Sequence, residues 1–336
     1  MQAAFTDTQD ALREAVADLL GDHATGEDVR SIAFDGAGFD ADLWSRLVAM
    51  GVTDLPGAVE EGVVAEELGG AVAPVPYVEH LVALAALRAA APDHAMVATL
   101  SGGDAIGVLA ADGVLRIEDG AAHGDLRHVP HGGAATHLVA IADDGRRQVL
   151  VVLDATATTR TGLPTMDRTR PLVDIGVDGV GVEVIDAADV RSPASLTAAV
   201  LYAHDLVGVG QACLDMAVAY ARDREQFGKP IGTYQAVSHR LVDMFVALES
   251  ARSHTYHAAW ATAADDDVAA LAASQAKASA SDAAVSCAQG AIQVHGGIGF
   301  TWEHDLHLYL KRARSGSALW GTASQHRRQV ADHLVA

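Results

Sequence analysis

At 336 residues the chain is long enough for two or three folding units with a substantial core, so one small domain is excluded. Half of the residues are apolar but only 5% are aromatic, and Ala is abundant, so close helix packing must supply much of the interior. A formal charge of -21 with no Lys/Arg block repels nucleic-acid backbones and anionic bilayers, which argues against both as partners.

The opening stretch, MQAAFTDTQDALREAVADLL, is acidic where a secretory leader needs a basic start, and no run reaches the roughly 18 apolar residues of a spanning helix. A cytoplasmic protein is expected. From Thr6 to about Pro92 the pattern is helical: Thr6 can cap a helix with Leu12, Val16, Leu19 and Leu20 on one face, and Asp40 can cap another holding Leu43, Leu47 and Val48. A third helix covers Val63 to Leu68. Between Asp104 and about Asp189 short β-rich runs take over, at 105–110, 114–118, 137–142, 148–153, 172–177 and 181–185, separated by Gly, Asp or Arg clusters. Strands without helices between them predict an antiparallel sheet or small barrel.

After Pro193 the pattern is helical to the end. Leu196 to Phe227 is apolar almost all round, as a helix inside a bundle should be, and Gly228 with Pro230 gives it a stop. The next helix places Val237, Leu241, Met244, Leu248 and Ala251 on one stripe. The run Asp265 to Asp267 caps an Ala-rich helix reaching Val294, and shorter helices cover about 302–313 and 316–335. Cys213 and Cys287 lie in apolar helical patterns with no CxxC and no Cys/His cluster, so reduced core thiols and no metal site are expected. The expected fold is α+β: an N-terminal helical domain over 1–102, a small middle β domain over 103–190 and a C-terminal four-helix bundle over 191–336.

Two segments of the last domain carry chemistry. The first is RDREQFGKPIG, Arg222 to Gly232; the second is QVHGGIGF, Gln293 to Phe300. Taken singly, Arg224 also reads as a solvated helix-end residue, Phe227 as a core plug and Gly296 with Gly297 as an ordinary helix stop. In this order, on two helices of one bundle, the pair resembles the flavin-gripping segments of the acyl-CoA dehydrogenase family. The likeness is strong after residue 195 and weak before residue 170. It implies FAD as cofactor, an acyl-CoA thioester as substrate, an electron-transfer flavoprotein or similar acceptor, and dimers or tetramers in which FAD lies across a subunit boundary. A guanidinium at Arg224 would offer a forked, permanently charged donor to the FAD diphosphate, with Gln226 as neutral donor and Phe227 as apolar wall. Gly296 and Gly297 would let the backbone approach the ADP portion, beside the Gln293 amide. Gln235, in TYQAVSHR, and Thr322 match further cofactor positions of the family.

The departures from the family pattern are as informative. Loss of an α-proton from the thioester needs a carboxylate acceptor. Where the family most often has that Glu, before a Gly-Thr pair, this chain has Trp320, Gly321 and Thr322. A second subgroup places it ten residues before the glycine matching Gly208, and here that position is Ala198. Asp205 is the nearest carboxylate on the same helix, displaced about 10 Å along the axis. It reads either as a base or as the buried partner of a cation such as Arg240 or His239. His204 is an alternative base on chemical grounds. Residues 101–130 also lack the Thr-Glu-Pro and Gly-Ser-Asp segments that hold the flavin ring in the family, and the stretch before Glu66 and Glu67 lacks Pro-Glu-Gly-Gly. Within the resemblance the chain is most similar to the short subunits of heteromeric acyl-CoA dehydrogenases, whose full-length partner supplies base and ring site and whose substrates include CoA thioesters of steroid side chains. Two other readings stand beside it: a self-sufficient homo-oligomer using Asp205, and a non-catalytic scaffold with a degenerate dehydrogenase fold.

Overall fold

The computed structural model describes residues 5–186 and 191–335, so the expected boundary at 190 lies outside the described residues. Helices α1 (Asp7–His23), α2 (Gly26–Arg30), α3 (Ala41–Ala49), α4 (Ala58–Gly70), α5 (Tyr77–Ala90) and α6 (Ala95–Ser101) come first. Strands β1 (Gly107–Glu118), β2 (Ala121–Pro130), β3 (His137–Asp143), β4 (Gln148–Asp154), β5 (Thr159–Gly162), β6 (Leu172–Gly181) and β7 (Glu183–Ile185) follow. The rest comprises α7 (Arg191–Asp223), the short strands β8 (Glu225–Gln226) and β9 (Lys229–Pro230), α8 (Gln235–Ala263), α9 (Ala269–His295), α10 (Leu306–Ala318) and α11 (Ala323–Val335). By contact the chain divides into two units. One takes Met1–Val29, Pro56–Ala73 and Ala199–Ala336, the other Arg30–Leu55 and Pro74–Ala198. The first helices are thus shared between the units, and the division at 102 and 190 stands as a proposed partition along the sequence.

In the first unit the expected cap of α1 forms, whereas α9 starts from Val268 with no side-chain cap, in place of the expected cap by Asp265 to Asp267. Thr6 and Gln9 form a reciprocal capping box on α1, whose Val16 and Leu20 are buried. Asp266 accepts a hydrogen bond from Val268 N ahead of α9. On α8, Met244, Leu248 and Ala251 are buried while Val237 and Leu241 are half-buried. Small residues set the helix spacing: a Cβ on Gly210 would meet Leu248, and one on Gly290 would meet Met244. The closest approach is between α4 and α7. A Cβ on Gly208 would fall on the carbonyl of Glu66, one on Gly69 on the carbonyl of Asp205, and one on Gly62 on the His204 ring. Only glycine at these positions allows the two helices to cross at that distance. Cys213 and Cys287 are buried and free. Among the described residues no helix is long and apolar enough to cross a membrane.

Three boundaries differ from the sequence reading. Helix α7 ends at Asp223, and residues 225–230 form a hairpin whose two-residue turn, Phe227 (φ 52°) and Gly228 (φ 79°), is left-handed throughout. The gap expected between 313 and 316 lies inside α10. The break falls instead at the turn before Thr322, where Trp320 and Gly321 have φ of 56° and 106°.

The second unit holds a seven-stranded sheet in the order β5-β6-β2-β1-β3-β4-β7. All neighbours are antiparallel except β1 and β3, which run parallel, so the expectation of a purely antiparallel sheet is corrected to a mixed one. No helix is needed for the crossover, because β2 makes the return. The runs at 105–110 and 114–118 are one strand with an irregularity between Ala110 and Leu115. Strand β2 escaped the sequence reading because AAHGDLRHVP is poor in β-branched residues. Its signal was the preceding Asp119-Gly120, at φ 51° and 81°, a hairpin turn.

Helices α3, α5 and α6 complete this unit. Asp40 caps α3 through Leu43 N, and Leu43, Trp44 and Leu47 are buried. Buried Glu79 of α5 pairs with buried Arg170 at 3.0 Å. His80 ties α5, α6 and β1 together: its Nε2 lies 3.1 Å from the Leu100 carbonyl and its Nδ1 accepts from Gly107 N at 3.3 Å. These partners assign the neutral Nε2–H tautomer. Burial lowers the His80 pKa to about 4, against the hydrogen bond to Leu100. The unfolded chain protonates this ring near pH 6.5. The contribution of His80 is therefore complete above that value and is lost as pH falls from about 6.5 to 4, by roughly 3 kcal/mol. Hydrogen exchange of the amides of α5 and β1 should accelerate across this window, and His80→Asn should flatten the pH dependence.

Candidate functional site

Four sets of residues matter, and all but Ala198 lie within the first unit. The first gathers at one end of the bundle. Tyr220, in the last turn of α7, stacks on His295, the last residue of α9, with ring centroids 4.3 Å apart and planes at 24°. Arg224 N bonds the Tyr220 carbonyl and Gly296 N the Ile292 carbonyl, so the stack places the hairpin after α7 beside the glycine turn after α9. Gln235 begins α8 next to the same hairpin, where the Tyr234 hydroxyl donates to the Gln226 carbonyl at 2.9 Å. Arg224, Gln226, Phe227, Gln235, Gln293, Gly296 and Gly297 are all exposed, Phe227 to 94%, and Phe300 nearby to 86%. A Cβ built on Gly296 or Gly297 meets nothing within 4 Å. Those glycines leave backbone facing open space, and Gly296 needs its lack of Cβ for its φ of 64°.

Thr322 does not join this group. It follows the Trp320-Gly321 turn, which is anchored to α9 through Lys277, whose Nζ donates to the carbonyls of Gly316 at 3.0 Å and Gly321 at 3.1 Å. Lys277 and His295 are separated by about 27 Å along α9 at the usual helical rise. Thr322 is exposed and caps α11 with Gln325, while Trp320 is half-buried.

The third set contains the candidate bases. Asp205 is 1% exposed and bonds Arg312, with Nη2 to Oδ1 at 2.7 Å and Nε to both oxygens at 3.3 Å. Its cation is thus Arg312 of α10 in place of Arg240 or His239, which are exposed on α8. Sequence reasoning missed Arg312, whose signal was an arginine flanked by the buried positions Leu308 and Ala313. Ala198 is fully buried.

The fourth set surrounds buried Glu66, which the sequence reading treated only as a helix end. Its carboxylate pairs with Arg252 and accepts from the Tyr256 hydroxyl at 2.8 Å. Arg252 also reaches the Gln211 amide oxygen at 2.6 Å, and Arg13 donates to Tyr256 at 2.7 Å. Burial alone would raise the Glu66 pKa, but His204, Arg252 and Tyr256 outweigh it and hold it near 2. The fully buried His204 lies 3.7 Å from Glu66, and desolvation lowers its own pKa against the raising effect of Glu66. A cleft of about 360 Å³ runs beside this network, lined by Leu20, Glu66, Glu67, Gly208, Gln211 and Asp215 among others. Its acidic lining is the wrong sign for the phosphates of a CoA thioester.

The C-terminal-domain profile of acyl-CoA dehydrogenases matches residues 198–335. An acyl-CoA dehydrogenase of Mycobacterium tuberculosis, IpdE2, is 34% identical over 321 residues, covering 92% of this chain and 91% of its own. The chain belongs to the acyl-CoA dehydrogenase family. IpdE2 of Mycolicibacterium smegmatis is 33% identical over 97% of this chain and 98% of its own length. Among solved structures, a chain of the ChsE4-ChsE5 complex of Mycobacterium tuberculosis superposes with a TM-score of 0.90 at 25% identity, covering 100% of this chain and 99% of that one. FAD is the cofactor of this acyl-CoA dehydrogenase family. The open glycine turn and exposed Arg224 fit its diphosphate half. The ring half finds no such segments in 101–130, where β1 and β2 form a hairpin.

The Asp205 pair sets a stability test. Asp205→Ala leaves a buried guanidinium without its anion and should cost about 3–5 kcal/mol in urea unfolding, whereas replacing both partners by Leu and Met should recover most of that loss.

Proposed function

We propose that this chain is the base-lacking, shorter subunit of a two-chain acyl-CoA dehydrogenase that forms an α,β-double bond in an acyl-CoA thioester. The observation that carries the reading is the contrast between its two kinds of polar residue. The residues proposed to face the cofactor are exposed and gathered at one end of the bundle, while Asp205, the carboxylate nearest Ala198 on α7, is committed to the buried Arg312. FAD, when bound, supplies the hydride acceptor. Arg224, Gln226 and Gln293 supply donors to its diphosphate side, Phe227 an apolar cover, and Gly296 with Gly297 a backbone surface, reaching a cofactor held mainly by the longer partner. Thr322, about 27 Å away along α9, faces a different part of the assembly.

In this reading Asp205 has a structural role and the proton acceptor belongs to the partner. A bulky sterol acyl group is proposed as substrate and an electron-transfer flavoprotein as acceptor. Two buried free thiols are consistent with a cytoplasmic setting. The similarity to a chain of a two-protein complex supports the heteromeric reading.

The lone chain should purify nearly colourless, and co-expression with a full-length relative carrying an intact Glu should give a yellow, active complex. Within that complex Arg224→Ala or Gln293→Ala should lower flavin retention roughly ten-fold or more, read from the flavin absorbance after gel filtration. Stoichiometric flavin and turnover in the lone chain would overturn the proposal.

A further inference from the structure

Lys277 is fully buried in the middle of α9, among alanines, where an ammonium is unfavourable without compensation. Its hydrogen bonds converge on one short segment: Gly316 O at 3.0 Å, Gly321 O at 3.1 Å, and Ser281 Oγ on its own helix at 3.3 Å. The segment it grips contains two successive left-handed residues, Trp320 at φ 56° and Gly321 at φ 106°. Glycine adopts that region freely; a tryptophan does so only when its surroundings impose it. Three further contacts impose it here. His326 Nε2 bonds the Trp320 carbonyl at 3.0 Å, Thr322 N bonds Gln325 Oε1 at 2.8 Å, and His326 packs so closely that a Cβ on Gly321 would stand 2.8 Å from its Nε2. Burial and the nearby Lys277 charge lower the His326 pKa, against its hydrogen bond to the Trp320 carbonyl. The carbonyls of Trp320 and Gly321 and the amide of Thr322 are held from within, yet the indole the turn carries is half-buried.

We infer that Lys277 is a positioning residue that locks the 319–322 turn so that Trp320 presents its indole as a rigid apolar wall against the acyl group of the substrate. The first half of the inference stands on the turn alone. The acyl group as the facing ligand rests on the proposed function. Lys277 touches no reacting atom and acts only through the turn.

The test labels the lone chain with 5-fluorotryptophan, which gives four resonances from Trp44, Trp260, Trp302 and Trp320. Trp320→Phe assigns the one of interest. Lys277→Met, matched in length and apolar, should shift or broaden the Trp320 resonance and leave the other three in place, and Lys277→Arg should restore it in part. If Lys277→Met fails to fold, Lys277→Gln keeps one donor and serves the same comparison. An unchanged Trp320 resonance overturns the positioning role. In the two-chain enzyme, Lys277→Met and Trp320→Ala should each raise KM for the acyl-CoA roughly 5- to 10-fold with a smaller change in kcat, and the double variant should be no worse than either. Additive effects overturn the claim that Lys277 acts through Trp320, and an unaltered KM in Trp320→Ala overturns the placement of the indole at the acyl group. Failure of the proposed function has a different signature, absence of turnover in the wild-type pair, and the fluorine measurement decides the positioning role in either case.

Discussion

The close crossing of α4 over α7 is the constraint on which the first unit depends. Gly208 and Gly69 face each other's helix backbone, and Gly62 faces the ring of His204, so any side chain at these positions would drive the helices apart. At that distance water is excluded from the interface, and every polar group brought into it needs a protein partner. Glu66 finds Arg252 and Tyr256, and Asp205 finds Arg312. The crossing therefore explains why Asp205, which looks chemically available in the sequence, and Glu66 beside it across the helices are both held in structural pairs. Their low-dielectric surroundings make each pair costly to break and leave little net gain over apolar replacements.

Long helix α9 organises what is left for function. At its C-terminal end the His295 ring stacks on Tyr220 and brings two glycine-containing turns together, with donors and aromatic rings turned outward. Near its middle Lys277 holds the turn that carries Trp320. Both places use a bulky residue with positive φ, Phe227 in one and Trp320 in the other, each followed by glycine. Left-handed backbone at a large side chain is unfavourable in isolation, and its presence at both spots sets the ring at a defined position on the surface. Arg224, Phe227 and Phe300 thus stand at the surface, whereas Glu66 and Asp205 are buried.

Much of this was legible in the linear pattern. Thr6 and Asp40 announced their helix starts because capping is local, a side-chain oxygen reaching an amide three residues on. The two C-terminal motifs were legible for a similar reason: each is a short run with glycine at a turn, and their order placed them on the bundle. Strand β2 and helix α5 were poorly marked. The first is polar on its exposed face with few β-branched residues, and the second is buried on nearly all sides, so neither shows a clean amphipathic period.

By itself the sequence determined the succession of helices, sheet and bundle, the two C-terminal segments proposed to meet FAD and the absence of a carboxylate at Trp320 and Ala198, since each is a property of one residue or of a local run. Only the tertiary structure decided that Asp205 belongs to Arg312, that Glu66 is the hub of a buried network, that β1 and β3 run parallel, and that Thr322 stands far along α9 from Gly296. Those facts depend on which groups meet from distant parts of the chain and on glycine contacts that fix the helix spacing, and no local period encodes either.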